Sequence, residues 1–253
     1  MTILVLRGHI RSGFSSDNLY HFVSKIYNNC PDLKIYIHTW NIIQNNVSWR
    51  QIEQKDIPIT NELIFWYFKD LSCLIKHIII DDDSTIILNG RLKGDVIPES
   101  GCWKLPIIGW KRYWYGKYKI IKYLYETLEN KNEIILNCRF DVLCNSNSLK
   151  SDKVIDFINC NIYKPIFKNI FLDSMDAFSR IHNVKAHINN LFVFSGIDNF
   201  YLGNIETQYK LAEHFHLNLD NIVSKPLGFT NHEYLVPIEN DKLFNEQINM
   251  QIT

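Results

Sequence analysis

An arginine and an aspartate stand two residues apart at the point where a run of apolar residues ends. The run is EIILNC, and Arg139, Phe140 and Asp141 follow it directly. A guanidinium group neutralises phosphate oxygens, while a carboxylate binds a divalent metal or a ribose hydroxyl. The pair therefore suits a ligand that carries phosphate. A structural alternative stays open, because residues two apart share one face of a strand and could be satisfied by neighbouring side chains.

A second group of polar residues lies near the start of the chain, in the segment RGHIR. Arg7, Gly8, His9 and Arg11 belong to it, and an apolar run precedes it. Glycine lets backbone amides approach a diphosphate, and the arginines would supply the charge that balances it. Solvated arginines in an ordinary turn would produce the same spacing.

Two further polar clusters follow apolar runs. His38, Thr39 and Trp40 offer a stacking ring and short polar groups, which suit a nucleotide base or a sugar hydroxyl, although tryptophan and histidine also suit the core and a strand end. Asp81 and Asp83 form a literal D-x-D, in which two carboxylates could share a divalent cation with a diphosphate. A solvated turn is the alternative for the aspartates.

The apolar runs before these clusters predict strands, at residues 3–6, 33–40, 76–84 and 133–143. Apolar residues spaced three and four apart predict helices between them, one with Thr60 as its N-cap. Parallel strands need such crossovers and are buried on both faces. The sequence therefore predicts an α/β fold, with a mostly parallel sheet and helices on both faces. Because ligands bind beyond the carboxyl ends of such strands, the polar clusters should form one site.

One predicted helix, within residues 110–128, is rich in aromatic residues and lysines. Its aromatic and aliphatic residues fall on one face: Trp110, Trp114, Tyr118, Ile121, Tyr125 and Leu128. A site for RNA or for a membrane surface would be an alternative, but this arrangement favours a core helix with solvated lysines.

The last hundred residues contain shorter apolar runs, at 187–196 and 199–204, followed by a predicted helix at 204–215. Asp198 lies between the two runs, where it could act as a general base or bind an acceptor hydroxyl. An Asx turn is the structural alternative. Since no linker separates this part from the first half, the sequence predicts a single domain over residues 1–253.

Composition excludes several classes of protein. The 27 Lys and Arg balance the 27 Asp and Glu, so there is no broad positive field for a nucleic acid. Arg7 interrupts the first apolar stretch, and no run reaches the ~20 residues of a membrane span, so we expect no integral membrane segment. The six cysteines show no zinc-type spacing, and a reducing cytoplasm is the simplest location.

The order of these segments resembles that of bacterial polysaccharide glycosyltransferases. Residues 114–124 (WYGKYKIIKYL) and 132–142 (NEIILNCRFDV) resemble the family pattern Q/W-x-S-x-x-K-A followed by D-x-V-I-R-x-R-x-D-L. Residues 6–11 (LRGHIR) are similar to its opening G-x-x-R, and residues 32–40 (DLKIYIHTW) to D-V-F-I-H-T-W. In the second half, residues 191–204 (LFVFSGIDNFYLGN) resemble D-D-x-F-x-x-G-S before a helix.

Enzymes of this family have a GT-A fold and belong to capsule and lipopolysaccharide gene clusters, with relatives in large DNA viruses. The resemblance implies a GT-A-like, Rossmann-related domain with a nucleotide-sugar-binding half (1–145) and an acceptor-side half (146–253). It implies transfer of a sugar from a nucleotide-sugar donor to a glycan or lipid-linked glycan of a growing surface polysaccharide. The protein would be cytoplasmic, or peripheral at the inner face of the membrane.

The resemblance also assigns roles to residues. Asp141 would be the donor-site carboxylate and the ligand of Mn²⁺ or Mg²⁺, with Arg139 in the place of the first acidic residue of a D-x-D motif. Asp198 would be a catalytic residue that faces the acceptor. The nucleotide pocket would be lined by residues of the first loop: Arg7, His9 and Arg11. Two departures from the pattern matter, since Gly116 replaces a common serine and a single carboxylate leaves metal dependence open.

Two other functions remain open on the sequence. A nucleotidyltransferase or phosphotransferase could use Asp81 and Asp83 as metal ligands on a similar sheet. A non-catalytic glycan-binding protein could use Trp40 and Trp114 as platforms for sugars.

Overall fold

The structure is a computed structural model, and it describes residues 2–45, 53–84, 95–96, 105–141, 143, 187–188, 191–194, 200–223, 235–236, 238–239 and 242–243. Within these ranges the strands are β1 (Thr2–Arg7), β2 (Lys34–Trp40), β3 (Ile42–Gln44), β4 (Lys55–Pro58), β5 (Ile75–Asp81), β6 (Asp95–Val96), β7 (Leu105–Pro106), β8 (Ile134–Arg139), β9 (His187–Ile188), β10 (Leu191–Phe194) and β11 (Phe200–Asn204). The α-helices are α1 (Asn18–Asn29), α2 (Asn61–Phe68), α3 (Ile107–Thr127) and α4 (Ile205–Val223).

Seven of the strands form one sheet, in the order β5-β2-β1-β8-β11-β10-β9. The four strands predicted from apolar runs are β1, β2, β5 and β8, and neighbours among them pair in parallel. The last three strands extend the sheet in antiparallel fashion from β8. The prediction of an α/β fold with parallel strands is confirmed, and the antiparallel extension is a feature that the apolar runs do not show.

Helices cover both faces of the sheet, as predicted. Successive side chains of a strand point to opposite faces, so Leu4 and Leu6 pack with buried residues of α1 and α2. Ile3 and Val5 pack instead with buried residues of α3 and with Ile205, the first residue of α4. All residues of β1 are buried, which explains why its apolar run shows no alternation with polar residues.

Helix α2 begins where its sequence predicts. The Thr60 hydroxyl accepts a hydrogen bond from the Leu63 amide at 3.2 Å, which satisfies one of the backbone donors left free at a helix start. The helix buries Ile64, Tyr67 and Phe68 against the sheet. Helix α4 extends to Val223, beyond its predicted end, and its continued apolar stripe packs on Trp114 of α3.

Two lysines of α3 are buried, contrary to the prediction that its lysines are solvated. The Lys111 ammonium lies 2.8 Å from an oxygen of Asp220 on α4. Lys117 is fully buried, with its ammonium 4.7 Å from the centre of the Trp114 ring. The cause for Lys111 is α4, which packs beside α3 and supplies Asp220. For Lys117, burial and to a smaller extent the charge of Arg7 on β1 lower the pKa of the ammonium group, so tertiary packing surrounds it. The prediction does hold for Lys119, which is exposed.

None of the helices within the described ranges is both long enough and apolar enough to cross a bilayer.

Candidate functional site

The order of the parallel strands creates a crevice between β1 and β8. Across the sheet the parallel strands follow the order β5-β2-β1-β8, whereas in the chain their order is β1, β2, β5, β8. The direction in which strands are added therefore reverses between β1 and β8. The helices that follow β1 and β2 lie on one face and the helix that precedes β8 lies on the other. Ligands of open α/β sheets bind in the crevice at such a reversal, beyond the carboxyl ends of the strands. Arg7 and Arg139 end these two strands and are partners in register.

Beyond the end of β8, one carboxylate is bound by two guanidinium groups. Arg139 donates from Nε to Asp141 Oδ1 at 2.7 Å and from Nη2 to Oδ2 at 2.6 Å. Arg11 donates from Nη1 to the same Oδ2 at 3.3 Å. Arg139 and Asp141 therefore satisfy each other's hydrogen-bonding groups, which was the structural alternative to a ligand site. The structure adds a second arginine to this pair, because Arg11 contacts the same carboxylate.

The ionisation of Asp141 follows from these contacts. Burial alone would raise the pKa of its carboxyl, but the Arg139 and Arg11 guanidinium groups outweigh that effect and lower the pKa. Asp141 is therefore a carboxylate at neutral pH. Its side chain is 9% exposed, whereas those of Arg139 and Arg11 are 16% and 21% exposed. The arginines, and not the carboxylate, are thus the groups that solvent or a ligand reaches.

A close backbone approach holds the first loop against the end of β8. A Cβ atom on Gly13 would lie 2.7 Å from the Phe140 carbonyl oxygen, so only glycine allows the two segments to come this close. The 3₁₀ turn Arg11–Phe14 contains this glycine and begins with Arg11 at a φ of 50°. That conformation is uncommon for a residue with a side chain, and here it accompanies the contact between Arg11 and Asp141.

Arg7 lies beneath the crevice and not on its surface. Its side chain is buried, donates from Nε to Asn137 Oδ1 at 2.6 Å and from Nη2 to the Tyr113 hydroxyl at 2.8 Å. Asn137 in turn donates to Gln208 of α4 at 3.3 Å. These supporting residues are not among those predicted from the sequence, although a polar Asn137 inside an apolar strand, two residues before Arg139, is a signal for one of them. We call Arg7, Arg11, Arg139 and Asp141 the arginine cluster.

Gly8 joins β1 to the first loop through its backbone. Its φ is 89°, a conformation that favours glycine. Its amide donates to the His38 carbonyl at 3.1 Å, and its carbonyl accepts from the Thr39 hydroxyl at 3.0 Å. The Gly8 amide therefore binds β2, whereas the sequence analysis expected it to face a diphosphate. The Thr39 hydroxyl likewise holds the first loop on β2.

His38 lies in a second cluster, at the ends of β2 and β5. Its fully buried ring has Nε2 at 3.1 Å from Asp81 Oδ2, and its ring lies edge-on to Trp40 at 5.2 Å. Burial lowers the pKa of His38 more than Asp81 raises it, so the ring is neutral and donates its Nε2 proton to the carboxylate. A Cβ atom on Gly116 would lie 2.7 Å from the His38 ring, which explains a glycine at this position of α3.

The second aspartate of the D-x-D is bound in a similar way. Asp83 Oδ1 lies 3.3 Å from His9 Nε2 and 3.1 Å from Arg112 Nε, and Asn45 donates to Oδ2. Burial opposes ionisation of Asp83, but His9 and Arg112 outweigh it and lower its pKa. The His9 ring stacks on Trp40 at 5.5 Å. The solvated-turn alternative is therefore wrong for Asp83, which is buried.

These residues form a group that we call the carboxylate cluster, with the members Asp81, Asp83, His9, His38, Arg112 and Lys119. Lys119 completes it, with its ammonium 3.8 Å from Asp81 Oδ1. The structure thus divides the predicted site residues between two clusters at one edge of the sheet. Trp40 is buried among the second group, and both it and Trp114 are too deeply buried to be sugar platforms. Asp198 lies outside the described residues.

The described residues do not fit a divalent metal. Both oxygens of Asp141 are bound by arginines, and the aspartates of the carboxylate cluster are engaged by His38 and Lys119 or by His9 and Arg112. Over the ranges that the structure describes, no group of three or more His, Cys, Asp or Glu could hold a metal ion. Mg²⁺ and Mn²⁺ bind oxygen ligands, and either ion at these carboxylates would lie beside positively charged side chains.

Comparison with known proteins adds one structural similarity. No protein-family model matches the chain, and no curated protein matches it in sequence. Among solved structures, the crystal structure of an active-site mutant of LgtC is similar, with a TM-score of 0.38 and 11% sequence identity. The alignment covers 96% of this chain and 70% of that chain. The α/β assignment rests on the strands, helices and strand order described above.

Proposed function

We propose that the protein is a glycosyltransferase that uses a nucleotide-sugar donor. One observation carries this proposal: Arg11 and Arg139 lie together on Asp141 at the crevice between β1 and β8. A nucleoside diphosphate is an anion of a size that two guanidinium forks bind well. The sheet offers its ligand crevice at the same place.

The sequence resemblance supports the reaction type. The segment that ends in Arg139-Phe140-Asp141 resembles the family pattern around its donor motif, and it contains β8, the fourth strand of the parallel set. The acceptor would be a glycan or lipid-linked glycan of a surface polysaccharide. The bond from the anomeric carbon to the diphosphate oxygen breaks, a bond to the acceptor oxygen forms, and a base takes the acceptor proton.

The protein's main task in this reaction is electrostatic. Negative charge develops on the departing diphosphate, and pre-positioned guanidinium groups stabilise it in the transition state. Arg11 and Arg139 are the groups with accessible edges for this task. Arg7 acts through them as a positioning residue, since its hydrogen bonds to Asn137 and Tyr113 link β1, β8 and α3.

The remaining site residues divide into supporting and reacting groups. Gly8, Thr39 and His38 hold the first loop on β2, and His9, which stacks on the buried Trp40, would form the wall of the nucleotide pocket beside it. We assign the general base to Asp198, on the sequence resemblance alone.

The proposal is tested by incubating the protein with nucleotide sugars that carry uridine, guanosine, cytidine or adenosine diphosphate. We expect one of them to yield a free nucleoside diphosphate, faster when an oligosaccharide acceptor is present. The identity of the released product separates the alternatives, because nucleotidyl transfer would release pyrophosphate or a nucleoside monophosphate. No nucleoside diphosphate from any donor, together with no thermal shift from any nucleotide, would contradict the proposal.

A further inference from the structure

Strand β5 lies at one end of the seven-stranded sheet, and among the described strands it pairs with β2 alone. It is 7 residues long and contains no proline, and its charged residues lie near its two ends. Natural edge strands are usually short, charged, interrupted or covered, because a bare edge pairs with other chains. The half-buried isoleucines 78–80 form the middle of this edge, which is therefore suited to pair with another strand.

One hydrogen bond shows which backbone groups of β5 point away from β2. The Asp81 carbonyl accepts from the Asn41 amide at 2.9 Å, so the backbone of Asp81 faces β2. In a parallel strand the N–H and C=O of one residue point to the same side, and those of the next residue point to the other side. Ile79 therefore faces β2, whereas the amides and carbonyls of Ile78 and Ile80 point to the outer edge. A strand laid along β5 would provide partners for these groups.

The faces of the sheet restrict which pairing two copies of β5 can form. Ile78 and Ile80 pack on the side of α1 and α2, whereas Ile79 packs on the side of α3. Residues that lie directly opposite each other in an antiparallel pair point to the same face. If a two-fold axis perpendicular to the sheet relates two copies, each residue must therefore lie opposite one from its own face.

Charge favours one of the registers that this rule allows. With Ile79 opposite Ile79 of the second copy, Ile78 lies opposite Ile80, and their outward backbone groups exchange hydrogen bonds. The same register sets Lys76 opposite Asp82 of the second copy, a pair of opposite charges. A pairing centred on Ile78 would set Lys76 opposite Ile80, and one centred on Ile80 would set Ile78 opposite Asp82. The edge is thus complementary to itself when Ile79 lies on the axis.

We propose that the protein forms a two-fold symmetric dimer through antiparallel pairing of β5 with β5 of a second copy, centred on Ile79. The pairing joins the two seven-stranded sheets into one. Because the strands of the two copies run in opposite directions, their crevices open at opposite edges of the joined sheet. The dimer does not depend on the proposed function, since the arginine cluster lies at the ends of β1 and β8 and not on β5.

Sedimentation equilibrium over a range of concentrations tests whether the dimer forms. We expect the mass to rise from the 30.0 kDa of one chain to twice that value. Amide hydrogen exchange, followed by NMR over the same range, locates the interface. The outward amides of Ile78 and Ile80 should exchange more slowly as the dimer forms, whereas the amide of Ile79, which already faces β2, should change little.

A proline at an outward position separates edge pairing from the fold. Ile78→Pro removes an amide that points away from β2, so the pairing of β5 with β2 keeps its hydrogen bonds. It should raise the dissociation constant of the dimer by at least about tenfold, because each copy loses a hydrogen bond across the interface. Ile78→Ala is the matched control, since it also shortens the side chain but keeps the amide, and it should raise the constant by less than about threefold. Circular dichroism checks that both variants fold.

A disulfide at the axis tests the register. The central pair is not hydrogen-bonded, so its Cα atoms would lie about 4.5 Å apart, within the range that a disulfide spans. Oxidation of Ile79→Cys should therefore link two copies at position 79, and peptide mapping separates this link from those of the native cysteines. Lys76→Cys on the same strand is the control and should form no link between two copies at position 76, because the register sets these positions far apart.

Three results would contradict the dimer. A mass of one chain at every concentration would overturn it. A dimer that keeps its affinity in Ile78→Pro and forms no disulfide at position 79 would place the interface elsewhere and overturn it too. Slow exchange of the Ile78 and Ile80 amides in the monomer would show that another part of the chain covers this edge. If Ile78→Pro does not fold, the exchange rates and the disulfide decide the question.

Discussion

The arginine cluster and the carboxylate cluster lie at the same edge of one sheet, yet they differ in charge balance. In the carboxylate cluster each aspartate faces a histidine and a cation, Asp81 with His38 and Lys119, for example. In the arginine cluster a single carboxylate faces two guanidinium groups. The carboxylate cluster thus combines two aspartates with two cations, whereas the arginine cluster combines one aspartate with three arginines.

This difference shows why the type of motif is a poor guide to the binding site. The literal D-x-D at residues 81–83 has the carboxylates that a metal site needs, but its two outer aspartates are engaged in internal pairs. The R-x-D at residues 139–141 has fewer carboxylates and a surplus of guanidinium groups. What a cluster can bind depends on the charge that remains after its members have paired with one another.

The largest expected effect is the loss of nucleotide affinity when Arg139 is removed from the arginine cluster. Removal of Arg112 from the carboxylate cluster is the comparison. Arg139→Gln should weaken binding of the cognate nucleoside diphosphate by about 1.5–3 kcal/mol, the contribution typical of a hydrogen bond to a charged group. Arg112→Gln should change that affinity by less than about 0.5 kcal/mol, because Arg112 contacts Asp83 of the other cluster and not Asp141. Titration calorimetry measures both, with circular dichroism as the check on folding. Equal losses of nucleotide affinity in the two variants would mean that both clusters contribute to one electrostatic potential at the nucleotide.

A second prediction concerns the approach of the first loop to β8. Gly13→Ala places a Cβ atom 2.7 Å from the Phe140 carbonyl oxygen, which is backbone and cannot turn aside. We expect a loss of about 2 kcal/mol in the free energy of unfolding and weaker nucleotide binding, since the loop that carries Arg11 must shift. Urea denaturation measures the first and calorimetry the second. A loss of stability without any loss of affinity would show that Arg11 does not contribute to the site.

The corresponding glycine of the carboxylate cluster should affect stability alone. Gly116→Ala places a Cβ atom 2.7 Å from two atoms of the His38 ring. We expect a loss of about 1–2 kcal/mol in the free energy of unfolding, reduced by the better helix propensity of alanine. The clash is absent in a His38→Ala background, so a double-mutant cycle should show that Gly116→Ala lowers the free energy of unfolding less in that background than in the wild type. Additive effects of the two substitutions would contradict the contact.

The smallest expected effect is a pH dependence that originates in the carboxylate cluster. Burial lowers the pKa of His38 and of His9, so the folded protein binds these protons less readily than the unfolded chain. Stability is therefore complete above about pH 6.5 and is lost as the pH falls below it, by at most about 1.4 kcal/mol per pH unit for each proton. Urea titrations at a series of pH values measure this slope.

His38→Gln is the variant that assigns this slope, because glutamine cannot take up a proton in this range. It should reduce the pH dependence of unfolding even if it lowers stability overall. The arginine cluster provides the contrast. The pKa of Asp141 lies below its usual value, so its stabilising contribution is lost only when the pH falls below about 4. An unchanged slope in His38→Gln would place the titrating group elsewhere.

The sequence alone determined the local structure, because local structure follows from the spacing of apolar residues and from short-range capping. The runs before Arg7, Trp40, Asp81 and Arg139 became parallel strands, since each is rich in apolar and β-branched residues. Thr60 became the N-cap of α2 because its hydroxyl reaches an amide three residues away. The sequence likewise sufficed to place the polar residues at the carboxyl ends of these strands at one edge of the sheet.

Only the tertiary structure decided which polar residues meet. Strand order sets Arg7 beside Arg139, and the Gly13 contact brings Arg11 to Asp141, so the pairing depends on segments more than a hundred residues apart. Tertiary packing buried Lys117, whose own helix gave no sign of it. No local pattern encodes such contacts, because charge balance at a site depends on neighbours that the folded chain supplies from distant positions. For that reason the sequence could name the arginines and aspartates of this edge, but the fold decided which of them contact one another.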